Sequence, residues 1–66
     1  MSVAKTIEIS AESPDSFAEA VKAGIAKAGE TVHGIREAYV KEFKAVVTDD
    51  QVTAFRVHMQ VTFVLD

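Results

Sequence analysis

The chain has 66 residues, with no cysteine, one proline and three glycines; 48% is hydrophobic, 26% is charged and the net charge is −3. This excludes a disordered chain, a disulfide or thiolate-metal scaffold and, with no lysine or arginine cluster, an ordinary nucleic-acid footprint. One core of this size rarely supplies more than about 3–5 kcal/mol, and two histidines do not complete a zinc site alone, so oligomerisation is the remaining source of stability.

In chain order, the first predicted element is a strand over about Val3 to Ala11, where Ile7 and Ile9 alternate with Thr6, Glu8 and Ser10. Before it, Met1 to Lys5 lacks the apolar stretch of a secretory signal, and no apolar run approaches the roughly 20 residues that cross a bilayer. A soluble cytoplasmic protein is expected. The second element is a helix with Ser13 as N-cap, Pro14 at its first position and Asp15 at the positive end of its dipole. Phe17, Ala20, Val21, Gly24, Ile25 and Ala28 form its core stripe. It is expected to end near Thr31 to Gly34, with Gly34 in a left-handed conformation and His33 suited to the negative end of the dipole.

Two long strands follow, about Ile35 to Thr48 and Val52 to Leu65, joined by a turn at Asp49-Asp50. Each spans about 45 Å, whereas the predicted helix spans only about 27 Å. The far ends of the hairpin must then pack on other copies of the chain. With a two-residue turn, the face under the helix carries Ala38, Val40 and Val46 with Phe55, Val57, Met59, Val61, Phe63 and Leu65. The other face carries Ile35, Glu37, Tyr39, Lys41, Phe43, Ala45 and Val47 with Arg56, His58, Gln60, Thr62 and Val64, and is amphiphilic. His58 falls opposite Lys41. The order β-α-β-β defines an α+β fold, an antiparallel sheet with one helix on one face.

The residues resemble those of the dodecins, small flavin-binding proteins. The resemblance is carried by Lys5-Thr6-Ile7-Glu8-Ile9, by Ser13-Pro14-Asp15-Ser16-Phe17, by Glu19-Ala20-Val21, by Thr31-Val32-His33-Gly34-Ile35-Arg36 and by the run Arg56 to Leu65. It covers nearly the whole length and implies one dodecin-like domain over residues 1–66. It further implies a three-stranded antiparallel sheet wrapped around one helix, assembled as a hollow homododecamer. In the flavin-binding members, pairs of flavins (riboflavin, FMN or FAD) lie where subunits meet, stacked on a tryptophan and hydrogen-bonded by a glutamine. The implied role is flavin storage and sequestration, without catalysis.

Carried over residue by residue, the tryptophan position is Glu37 and the glutamine position is Arg56. A carboxylate offers no stacking surface. The candidate ligand-binding residues are therefore Glu37, Arg56 and Tyr39, the last an aromatic that shares a face with Glu37. The expected function is a dodecin-like small-molecule binding shell whose flavin affinity is weakened or lost. The alternative is a structural, ion-binding or other-ligand shell that does not bind flavin. Glu37 and Arg56 lie about six residues apart along the hairpin, roughly 20 Å, so an ion pair between them would have to join two chains. Asp49-Asp50 lacks the ligand spacing of a calcium loop, leaving ions at symmetry axes open. No triad spacing and no glycine-rich phosphate loop points to an enzyme.

Overall fold

A computed structural model describes residues 2–65. Strand β1 (Val3–Ser13) leads into helix α1 (Phe17–Ala28), and strands β2 (Ile35–Thr48) and β3 (Gln51–Leu65) complete the chain. All pairings are antiparallel and the strand order is β1-β3-β2, so the last strand lies in the middle. The β-α-β-β order, the three-stranded antiparallel sheet and the single helix agree with the sequence reading.

The helix begins later than Pro14 suggests. Ser13 stays in β1 and its Oγ accepts a hydrogen bond from the Asp15 amide at 3.0 Å, which turns the chain out of the sheet. Ser16, in extended backbone, is the N-cap, and its Oγ accepts from the Glu19 amide at 3.0 Å. Ser16 and Glu19 have the spacing of a capping box. The helix ends at Ala28, earlier than predicted, and the chain winds through one further turn in which the Val32 amide donates to the Ala28 carbonyl at 2.9 Å. Gly34 does take a left-handed φ of 78°, but at the entry to β2, where its carbonyl accepts from the Val64 amide at 3.1 Å. It is therefore not the helix cap.

The core is small. Ala20, Val57, Met59 and Val61 are fully buried, ringed by Ile7, Ile9, Ala11, Phe17, Val21, Ile25, Ile35, Ala38 and Val40. Gly24 lets the helix rest closely on the sheet, since a Cβ there would lie 2.7 Å from Met59 Cε and 3.0 Å from Ala11 Cβ. Phe17 bridges helix and hairpin by edge-to-face contacts with Phe43 and Phe55, both at 5.1 Å between ring centres.

Three irregularities in the β2–β3 ladder change the predicted faces. Arg36 and Lys41 are extra residues in β2, and Thr53 is extra in β3. Each bulge reverses the alternation beyond it. Phe43 and Ala45, expected on the open face, therefore pair with Val57 and Phe55 on the helix side, and Ile35 joins the core. Val46 leaves the covered row and pairs with Ala54. His58 lies opposite Glu42 rather than Lys41.

The molecule is elongated, 51 × 20 × 13 Å, with a radius of gyration of 13.5 Å. A compact chain of this length would have about 11 Å. Its accessible surface of 4757 Å² also exceeds the roughly 4,100 Å² of a compact monomer of this mass. A helix of 12 residues covers about 18 Å of a hairpin more than twice as long. The excess surface is partly apolar: Phe43, Val47 and Val52 towards the turn, and Val3 and Leu65 at the other end, are about half exposed or more.

Candidate functional site

The face of the sheet opposite the helix is a grid of polar side chains, because β3 pairs with both neighbours. Each row crosses the three strands. Glu12, Arg56 and Lys44 form one row; Ser10, His58 and Glu42 the next; Glu8, Gln60 and Tyr39 the third; Thr6, Thr62 and Glu37 the fourth. The bulged Lys41 also reaches this face, where its Nζ lies 3.0 Å from Glu8 Oε1.

Glu8 is the hub. It accepts hydrogen bonds from Lys41 Nζ at 3.0 Å and Gln60 Nε2 at 3.4 Å, and its Oε2 lies 3.7 Å from His58 Nε2. The hydrogen bond from Lys41, then that from Gln60, then the charge of Lys41 hold its carboxyl below the ordinary value of 4.5. His58 Nδ1 shares a hydrogen bond with Ser10 Oγ at 2.9 Å. With the ring proton on Nε2, facing Glu8, the Ser10 hydroxyl donates to Nδ1. Arg56 donates through Nε and Nη2 to Glu12 Oε1, at 2.9 and 2.7 Å. All these groups are partly exposed, so solvent screens each pair and the network adds little to stability.

Recesses on the surface of the described residues include two beside these elements. The larger, about 570 Å³, lies between β1 and the C-terminal half of α1 and is walled mainly by Ile7, Ile9, Ala11, Ala23, Gly24 and Ala28. It brings few polar groups together. The smaller, about 120 Å³, lies on the polar face among Ser10, Glu42, Lys44, Arg56 and His58. Among the described residues, no three His, Asp or Glu side chains converge as a metal site requires. Asp49 and Asp50 form the hairpin turn, with φ of 52° and 62°.

The three residues singled out from the sequence all lie on the polar face, but the structure does not bring them together within one chain. Glu37 sits opposite Thr62, Tyr39 opposite Gln60 and Arg56 opposite Lys44. Tyr39 is 65% exposed. The partner of Arg56 within the chain is Glu12, not Glu37. Sequence reasoning missed Glu8, Ser10, Glu12 and Lys44 as neighbours of Arg56 and His58. The alternation of β1 marked Glu8 and Ser10 as facing away from Ile7 and Ile9, whereas Glu12 lies beyond the predicted strand end at Ala11. That they border β3 follows from the strand order, which no local pattern carries.

A three-stranded antiparallel β-α-β-β sheet, helix on one face and polar grid on the other, defines a class of small α+β domains. The dodecin family model matches residues 3–66. The chain belongs to the dodecin family. It is similar to a dodecin from Streptomyces davaonensis, with 29% identity, a TM-score of 0.93 and coverage of 98% of this chain and 96% of that one. A Thermus thermophilus dodecin variant matches at 26% identity and a TM-score of 0.93, covering 100% of this chain and 98% of that one. A third similar structure is the calcium dodecin of Mycobacterium tuberculosis, described as calcium-chelating with a novel calcium-binding site. It has 30% identity and a TM-score of 0.84, with 97% of this chain and 91% of that one covered. Among curated protein sequences nothing matches the chain significantly.

Proposed function

We propose that the chain is a single-domain subunit of a homododecameric, cytoplasmic binding shell whose flavin pocket has been rebuilt with charge, so that flavin affinity is weak or lost. The observation that carries this reading is the composition of the open face. Where flavin-binding members stack and hydrogen-bond the ring through tryptophan and glutamine, this chain has Glu37 and Arg56. A flat ring needs aromatic surface on its faces. Of the three candidate residues only Tyr39 supplies it, and it stands two residues further along the strand. Arg56 has a planar cation to offer, but Glu12 holds it. Assembly is supported by the surface excess, by the exposed apolar ends of the hairpin and by the apolar recess beside β1. Membership of the dodecin family supports binding rather than catalysis as the function.

The test pairs two measurements on the purified protein. Native mass near twelve subunits is expected; a monomer or dimer at micromolar concentration overturns the shell. Titration with FMN or riboflavin should leave flavin fluorescence unquenched at micromolar protein. Strong quenching there would show that the pocket still clamps flavin.

The calcium-chelating relative favours a second reading, a shell that binds divalent cations. Since no trio of acidic groups converges among the described residues of one chain, such a site would be built between subunits. Calorimetric titration with calcium separates the two: heat of specific binding supports this reading, and its absence removes it.

A further inference from the structure

We propose that the recess among Ser10, Glu42, Lys44, Arg56 and His58 is a binding site for a phosphate-type oxyanion, held chiefly by Lys44 and Arg56. The inference rests on the reading above, in which the flavin pocket has been rebuilt with charge, and names what the rebuilt pocket takes.

The register carries the argument. Lys44 and Arg56 are directly opposed on neighbouring strands and share the open face. Their Cβ atoms are then about 5 Å apart, and like charges at that spacing destabilise a sheet. Only one of the two cations is neutralised within the chain. Glu12 takes Arg56 through Nε and Nη2, while Lys44 has no carboxylate within ion-pair distance among the described residues. The other terminal nitrogen of Arg56, Nη1, likewise has no hydrogen-bond partner there.

Between these groups the surface is concave, with about 120 Å³ of space, room for on the order of four waters. A tetrahedral oxyanion fits that volume. With the Nε–Nη2 edge of Arg56 held by Glu12, its free Nη1 and the neighbouring Lys44 ammonium are the charged donors left for phosphate oxygens. The remaining wall sets the selectivity. Ser10 and His58 are satisfied by each other at 2.9 Å and form a polar side wall. Glu42, opposite His58, is the one carboxylate of the lining and repels a fully ionised ligand. A monoanion that keeps a proton can instead donate to Glu42. This favours dihydrogen phosphate or a singly ionised phosphate monoester over sulfate, which has no proton to give.

Calorimetric titration of the assembled protein with inorganic phosphate tests the proposal, with sulfate and a nucleoside monophosphate as parallel arms at matched ionic strength. Saturable phosphate binding is expected, with sulfate weaker. Monophosphate binding tighter than phosphate identifies an organic phosphate as the ligand; equal binding identifies the free ion. Lys44→Met should weaken binding about tenfold or more, as expected for loss of a charged hydrogen bond. Glu42→Gln should tighten it and narrow the margin over sulfate, and Lys22→Met, on the far side of the helix, should change nothing. Absence of saturable phosphate binding, or equal weakening by Lys22→Met and Lys44→Met, overturns the proposal. Flavin quenching and native mass on the same samples separate the failures. If neither flavin nor phosphate binds and the mass is that of the shell, only the phosphate site falls; if flavin binds tightly, the rebuilt-pocket reading falls with it.

Discussion

Asp49 and Asp50 show how single residues shape the hairpin. A type I′ two-residue loop, whose twist matches right-twisted strands, has positive φ at both positions, and these two adopt 52° and 62°. Aspartate tolerates that region better than most residues but less well than glycine, and two adjacent carboxylates also repel each other. Asp50→Gly should therefore raise stability by about 0.5–1 kcal/mol, read as a higher urea midpoint with unchanged slope. A lower midpoint would mean that the aspartates make contacts that offset the strain. Glu8 is the counterpart on the sheet face. Its carboxyl is held below its ordinary value by Lys41 and Gln60, so the stabilisation it contributes is complete above about pH 4.5 and is lost as pH falls through its lowered folded-state value. The urea midpoint of the wild type should then fall towards the Glu8→Gln midpoint as the solution is acidified below pH 4.5. Parallel curves for the two proteins across that range would show that the Glu8 contacts do not form in solution.

At the scale of elements, periodicity and turn chemistry made most of the fold legible. Ile7 and Ile9 alternating with polar residues marked β1, the Phe17 to Ala28 stripe marked α1, and Asp49-Asp50 placed the hairpin turn between β2 and β3. The helix start was misplaced because two serines compete: Ser13 before a proline is a strong local signal, but Ser13 spends its hydroxyl on Asp15, and the Ser16–Glu19 spacing holds the true cap. The faces of β2 were legible only between bulges. Arg36 and Lys41 have ordinary strand chemistry, so nothing local announces the extra residue that carries Phe43 over to Phe17 and brings Glu42 opposite His58. Much of the candidate site was hidden for the same reason. Glu37, Tyr39 and Arg56 were placed on the open face from their own strands, whereas Glu8, Ser10 and Glu12 enter it through the pairing of β1 with β3.

For the whole molecule, the question raised by a short cysteine-free chain becomes geometric. A 51 Å hairpin, a helix of 12 residues and four fully buried core side chains leave more surface than a monomer of this mass normally exposes. Membership of the dodecin family accounts for the shape, and the proposed shell accounts for the surface. No helix among the described residues is long and apolar enough to cross a membrane. In the proposed function the charge on the open face sets this chain apart from flavin-binding members, and the central claim is that Glu37 and Arg56 weaken or abolish flavin binding there. The most direct measurement is a flavin fluorescence titration of the Glu37→Trp, Arg56→Gln double variant beside the wild type. The account predicts that the variant assembles to the same native mass and quenches flavin at micromolar concentration while the wild type does not. A variant that assembles normally and still leaves flavin fluorescence unchanged would contradict it.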